Sequence, residues 1–226
     1  AWISTNYQKP VALDVNFYYV GFGKDLTWKI FNYNLSPRIR LSRKILMVLQ
    51  WTLDNQRNDR GFAVAFATPV DTINGILFGE RTRNDLTQQV EFNYTLTNRM
   101  NISLRTRHYW SVLNYHQFFT LNQDGTLQSI ATMGLDAEGN SAFNLNYNAL
   151  TVDAAFRWVF QQGSELSFVW KSSVFSSIKD ISPDYFQNMN NLLNSGLFNS
   201  FSLKLLYWLD VAELKPGSRT KKRAYS

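Results

Sequence analysis

The sequence predicts an all-β chain, an antiparallel transmembrane β-barrel of about eight strands, and three observations predict it. Apolar and polar residues alternate with period two over runs of ten residues or more, the spacing of a strand with one face in an apolar medium. Aromatics make up 15% of 226 residues and several fall near the ends of those runs. Full charges occupy the middle of the opposite faces, which suits a wet interior.

The first run, 11–20, puts Val11, Leu13, Val15, Phe17 and Tyr19 on one face and Ala12, Asp14, Asn16 and Tyr18 on the other. A second, over 27–41, sets Phe31, Tyr33, Leu35, Ile39 and Leu41 against Asn32, Asn34, Arg38 and Arg40; its Pro37 suits an edge or a strand terminus. A third begins at Ile45, with Met47, Leu49, Trp51 and Leu53 opposing Gln50, Thr52 and Asp54. Over 86–97, Leu86, Val90, Phe92, Tyr94 and Leu96 oppose Thr87, Gln89, Glu91, Asn93 and Thr95. Over 100–107, Met100, Ile102 and Leu104 oppose Asn101, Ser103, Arg105 and Arg107. The run 150–160 sets Leu150, Val152, Ala154, Phe156, Trp158 and Phe160 against Thr151, Asp153 and Arg157. The run 164–174 sets Leu166, Phe168, Trp170 and Val174 against Ser167, Lys171 and Ser173. The last, 199–211, sets Phe201, Leu203, Leu205, Tyr207 and Leu209 against Ser202, Lys204 and Asp210. Around 144–148 the parity flips, which a bulge or a loop that ends later would explain.

Connections alternate in length. Tight turns are expected at Ser42-Arg43-Lys44, Thr97-Asn98-Arg99 and Gln161-Gln162-Gly163, and long connections over 55–84, 121–142 and 177–198. Asn122-Gln123-Asp124-Gly125 and Asp136-Ala137-Glu138-Gly139 read as hairpin tips. Ser182-Pro183-Asp184 followed by Phe186, Met189, Leu192, Leu193 and Gly196 reads as a short amphipathic helix on the long-loop side.

Such faces could pack as a sandwich of two sheets, about 10 Å apart. Strands of ten residues or more instead match the 9–11 that cross a bilayer at a tilt. The aromatics Tyr19, Tyr94, Trp110, Trp158, Phe160, Trp170 and Tyr207 are placed as interfacial girdles. Lipid forbids unpaired backbone edges, so the sheet is expected to close. The lipid-facing set is then Phe17, Phe92, Leu104, Phe156, Phe168 and Leu203. The lumen-lining set is Asp14, Arg38, Arg40, Glu91, Arg105, Arg107, Asp153, Arg157, Lys171 and Lys204. Short turns would be periplasmic and long loops extracellular. The lumen charges read as an interlocking network or as a pore with weak anion preference.

Composition narrows the chemistry. Cysteine is absent and histidines number two, which excludes disulfides, thiolate zinc sites and cysteine nucleophiles. Lys+Arg 23 against Asp+Glu 17 gives +6. The stretch from Ala212 onward contributes Lys215, Arg219, Lys221, Lys222 and Arg223 against Glu213, so the basic balance belongs mostly to a tail, 212–226, behind a barrel region, 1–211. That distribution argues for no nucleic-acid partner. The chain opens Ala1-Trp2-Ile3, without a signal peptide, and reads as a processed product or a piece of something longer. No HExxH, Gly-x-Ser-x-Gly, P-loop or Gly-x-Gly-x-x-Gly occurs. His108 falls on the apolar face, as an interface-level or partner-facing residue, and His116 has no evident acid partner in sequence. Residues 54–61, Asp54 to Gly61, read as a solvated extracellular loop. No catalytic residue, metal ligand or cofactor is expected, and no enzyme activity.

Three segments carry a resemblance. They are Asn6-Tyr7-Gln8-Lys9-Pro10-Val11-Ala12-Leu13-Asp14; Arg107-His108-Tyr109-Trp110-Ser111 with Tyr115 and Phe118 to Leu127; and Asn199 to Asp210. Together they resemble the C-terminal barrel of large Bacteroidota outer-membrane proteins that carry an N-terminal domain similar to family-nine carbohydrate-binding modules. The resemblance implies a bacterial outer-membrane location and the C-terminal part of a larger barrel. Its partners would be outer-membrane lipid and other outer-membrane or periplasmic proteins. The expected role is transport, or anchoring of a carbohydrate-handling module. Two alternatives stand beside it: a structural subunit of a multi-protein outer-membrane complex with a closed lumen, and a hydrolase working from the barrel rim through Asp59, Asp136 or His116.

Overall fold

The computed structural model describes residues 1–21, 28–65, 76–130, 143–179, 181 and 184–209. These form ten strands and one helix: β1 (Trp2–Ser4), β2 (Val11–Gly21), β3 (Lys29–Arg40), β4 (Ile45–Ala65), β5 (Ile76–Thr97), β6 (Met100–Leu121), β7 (Leu127–Ile130), β8 (Leu145–Gln161), β9 (Ser164–Ile178), α1 (Tyr185–Leu193) and β10 (Phe198–Leu206). All eight predicted runs are strands, and β1 and β7 are additional. Every pairing is antiparallel, in the order β1-β2-β3-β4-β5-β6-β8-β9-β10, with β7 attached to the far end of β6. The sheet is open: among the described residues β1 and β10 do not pair with each other, so the expected closure is not seen.

The three predicted tight turns join β3 to β4, β5 to β6 and β8 to β9. Gly163 in the last has φ 78°, a left-handed conformation that side chains resist, and a Cβ there would press on Trp208. Pro37 is not at an edge: β3 runs between β2 and β4, and pairing to β4 lapses at Ser36 and Pro37, where proline has no N–H to give.

Residues 54–61, expected as a loop, are strand. β4, β5 and β6 run 21, 22 and 22 residues, about twice the 9–11 that cross a bilayer. Their far halves project as a ribbon roughly 30 Å long at about 3.3 Å per residue. Register shifts bend it at Gln56/Asp59, Phe62/Val64 and Glu80/Arg81. It has buried apolar groups on both faces: Leu77 and Phe118 on one, where the rings of Tyr115 and Phe118 stack at 5.7 Å with Phe143 at 5.2 Å from Phe118, and Phe119 on the other beneath the Arg60 guanidinium. Gly79 lies against the Tyr115 ring, leaving no room for a Cβ.

The parity flip has a different cause from either expected one. β8 pairs with β6 without a register shift through Leu145–Trp158. Asn146 and Asn148 therefore do stand on the apolar face, at 1% and 2% exposure, where the connection carrying α1 folds back over the sheet. The predicted helix is present, but its N-cap is Asp184, whose carboxylate accepts from the N–H groups of Phe186 and Gln187. Ser182 and Pro183, the second hairpin tip at 136–139 and the basic tail lie outside the described residues. β10 ends at Leu206, so Tyr207 and Leu209 lie beyond the strand.

Candidate functional site

The cross-strand register decides which predicted site residues share a face, because every step along a strand changes sides. Phe92 pairs with Leu104, and Phe156, Phe168 and Leu203 pair in one line across β8, β9 and β10. Phe17 pairs with Tyr33, and Tyr33 with Leu53, on the same side. None of these six is buried, and Leu203 is 70% exposed. Among the described residues no second sheet covers this face. Two girdle assignments are corrected: Trp110 is the eleventh of the twenty-two residues of β6 and Trp170 the seventh of the fifteen residues of β9, both mid-strand, and Trp170 Nε1 donates to Asn199 Oδ1 at 3.0 Å.

The ten predicted lumen residues share the other face. Four form one row across four strands: Glu91 opposes Arg105, Arg105 opposes Asp153 and Asp153 opposes Lys171. The signs alternate. Arg105 Nε reaches Glu91 Oε1 at 3.1 Å and Lys171 Nζ reaches Asp153 Oδ1 at 3.9 Å. The same four line a cavity of about 300 Å³ with Asn93 and Ser103. Around this row, Arg107 donates to Gln89 Oε1 at 3.0 Å, Arg157 pairs with Glu165 at 2.5 Å, and Lys204 opposes Ser167. At the other margin Asp14 accepts from the Tyr7 hydroxyl at 2.6 Å and from Ser4, while Arg38 covers the Tyr7 ring at 5.2 Å; Arg40 lies opposite Leu46. Exposed pairs of this kind contribute about 0–1 kcal/mol each, so the row's importance is charge placement more than stability.

A second polar group was not anticipated. On the apolar face, at the end away from the tight turns, His108 is 5% exposed with Nε2 at 2.8 Å from Asn148 Oδ1 and Nδ1 at 3.3 Å from Gln88 Oε1. Tyr185 of α1 donates to the same Gln88 oxygen at 2.6 Å. Trp110 Nε1 donates to Asn146 at 2.8 Å, and Asn146 donates to Asn188 of α1 at 3.2 Å. His108 thus faces a partner within its own chain. Asn146 and Asn148 at apolar-face parity were the available sequence signal for a polar cover there. Beside this shelf, Phe31, Tyr33, Leu53, Leu86, Trp110 and Ile181 line a cleft of about 450 Å³.

The residues considered for hydrolysis lie in the projecting ribbon. His116 does have an acid partner, Glu80 at 3.5 Å, which Arg60 also holds at 2.6 Å. Asp59 is tied to Arg81 at 2.8 Å, and Arg81 also donates to the Tyr115 hydroxyl. His116 is the extra residue of the bulge at Glu80/Arg81, so no strand pattern could aim it at Glu80 in advance. Asp136 lies outside the described residues. No group of three His, Asp or Glu positioned to hold a metal occurs among the described residues.

A long antiparallel sheet with one apolar face left uncovered over most of its area and one face of alternating charge defines the class: an all-β protein. The chain belongs to a family described as a domain of unknown function, DUF5916, which matches residues 1–217. No curated protein matches, and no solved structure does.

Proposed function

We propose that this chain is an outer-membrane β-barrel domain, with its apolar face against lipid and its charged face lining the lumen. It serves transport, or anchors a carbohydrate-handling module of the kind named by the resemblance to the Bacteroidota proteins. The supporting observation is the segregation of faces across nine paired strands while the apolar side stays exposed. Phe201, Leu203 and Leu205 are 63–70% exposed on β10 alone. A contiguous apolar surface of more than a few hundred Å² marks a membrane or a partner. No helix among the described residues is long and apolar enough to cross a membrane, so the strands are what would cross it.

The alternating row Glu91–Arg105–Asp153–Lys171 favours one second reading, a structural domain whose lumen is closed by ion pairs. The experiment that tests the proposal is electrophoresis of the full-length protein in SDS, boiled and unboiled. A membrane barrel migrates differently in the two, and identical migration with solubility in plain buffer would contradict it. Planar-bilayer conductance then separates the readings: discrete steps for transport, none for a closed lumen.

A further inference from the structure

We infer that α1 is an interfacial helix that lies along the outer boundary of the membrane, with Phe186 and Leu193 sunk in the hydrocarbon of the outer leaflet. The inference rests on the barrel reading and extends it from the strands to the connection between β9 and β10. α1 is seated on the apolar face, the one that meets lipid in that reading: Tyr185 donates to Gln88 of β5, and Asn188 accepts from Asn146 of β8. His108, whose ring meets that of Tyr185 edge-on, is the ninth residue of β6 counted from the tight-turn end. Since 9–11 strand residues cross a bilayer, α1 rests where the strands leave the hydrocarbon.

Helical spacing divides α1 into three sides. Asn188 and Leu192 are buried against the sheet. Phe186 and Leu193, seven residues apart, share one flank at 79% and 47% exposure. Gln187 and Asn191, four apart and exposed, share the other. Chirality decides which flank points at the membrane. Val159 N donates to the carbonyl of Arg99 at 2.8 Å, so the odd residues of β6, on the charged face, bond toward β8 and the even ones toward β5. With L-residues and β6 rising from its tight turn, a viewer on the apolar side then has β5 to the right and β8 to the left. α1 runs the same way, from Tyr185 over β5 and β6 to Asn188 over β8. A right-handed helix laid in that direction turns Phe186 and Leu193 down, toward the tight turns and the lipid-facing spans. It turns Gln187 and Asn191 up, toward the long-loop side and water.

Acyl chains are the occupant that fits the lower flank. It continues the exposed apolar belt of the strands beneath it without a break in character. The sequence from Tyr185 to Leu203 carries no charged residue, as suits a segment held at a depth where a charge is costly. The upper flank offers amides, which water at the interface can solvate. The inner side meets the polar groups that the apolar face carries at this level: Asn188 bonds Asn146, and Tyr185 bonds Gln88. Such groups would be expensive to leave against hydrocarbon. α1 therefore seals a polar shelf on one side and holds to the lipid on another.

The test uses the full-length protein in phospholipid vesicles, with an environment-sensitive fluorescent amino acid replacing Phe186, Leu193, Gln187, Asn191 or Phe168, one per variant. Quenchers are iodide in the water and phospholipids with a nitroxide either high on the acyl chain or near its end. Positions 186 and 193 are expected to be quenched by the nitroxide lipids, more by the high nitroxide than by the deep one, and to be at least threefold less sensitive to iodide than 187 and 191. Iodide quenching at 186 and 193 equal to that at 187 and 191 would overturn the inference. So would protection of 186 and 193 from every quencher, the result if a second copy or another protein covers that flank. Position 168 scores the barrel reading separately. Lipid quenching at 168 with none at 186 and 193 removes the interfacial helix alone, whereas no lipid quenching at 168 sinks the barrel reading.

Discussion

Phe92 and Asn93 are consecutive in β5 and face opposite media in this account. Phe92 pairs with Leu104 within the apolar belt, while Asn93 lines the charged cavity beside Glu91 and Arg105. Phe92→Arg should cost on the order of 2–4 kcal/mol of folding stability in bilayers, as arginine does near a membrane mid-plane. Asn93→Arg should cost much less, because water and Glu91 solvate the new charge. Urea titration of vesicle-folded protein measures both, and equal costs would mean the faces are misassigned. A second residue-scale prediction concerns the tip of the β6–β7 hairpin. The hydroxyl and backbone N–H of Thr126 donate to Asp124 and hold its carboxyl below the ordinary aspartate range. The folded value is thus lower than the unfolded one, so this contribution is complete above the ordinary range and is lost as pH falls through the folded value. The protection factor of the Thr126 amide, its exchange rate relative to the intrinsic rate at the same pH, should fall on acidification there, and Asp124→Asn should abolish that fall.

At the scale of elements, α1 is held to the sheet by a small set of contacts: Leu192 at 0% exposure, Asn188 on Asn146, and Tyr185 on Gln88. Leu192→Ala together with Asp184→Ala should release it, the first by roughly 2–5 kcal/mol of lost packing and cavity and the second by about 1 kcal/mol of capping. Hydrogen exchange should rise over 185–193 while β5 and β6 keep their protection around Phe92 and Leu104; unchanged exchange in 185–193 would refute the clamp. The strands that cross the sheet are legible because a period of two survives wherever the two faces meet different media, as from Ile45 to Leu53. The outer halves of β4 and β5 are not, because there both faces are polar or bulged and Asp54 to Gly61 carries no alternation. Alternation places His108 on the correct face, but its neighbours Asn148 and Gln88 take their meaning from α1, thirty and more residues away along the chain. The Asp184 cap is hidden behind the stronger-looking Ser182-Pro183 pair. The attachment of β7 depends on a turn, Asn122–Thr126, that turn chemistry locates without revealing the short strand beyond it.

For the whole molecule, the decisive property is which medium meets each face. A water-soluble sandwich would bury Phe168 and Leu203 against a second sheet; they are instead among the exposed large apolar groups. Total charge says little about this, since most of the excess of basic over acidic residues falls in 212–226 and the row on the charged face is balanced. The chain has no cysteine, so a single introduced thiol reports one position at a time. The most direct measurement is a scan from Leu166 to Lys171 in β9, with each residue in turn replaced by cysteine, labelled with an environment-sensitive fluorophore and reconstituted in lipid. The account predicts strict alternation: Leu166, Phe168 and Trp170 positions blue-shifted and quenched by nitroxide lipids, Ser167, Val169 and Lys171 positions quenched only by water-soluble agents. Uniform quenching by the water-soluble agents, or protection of the even positions from both, would contradict it.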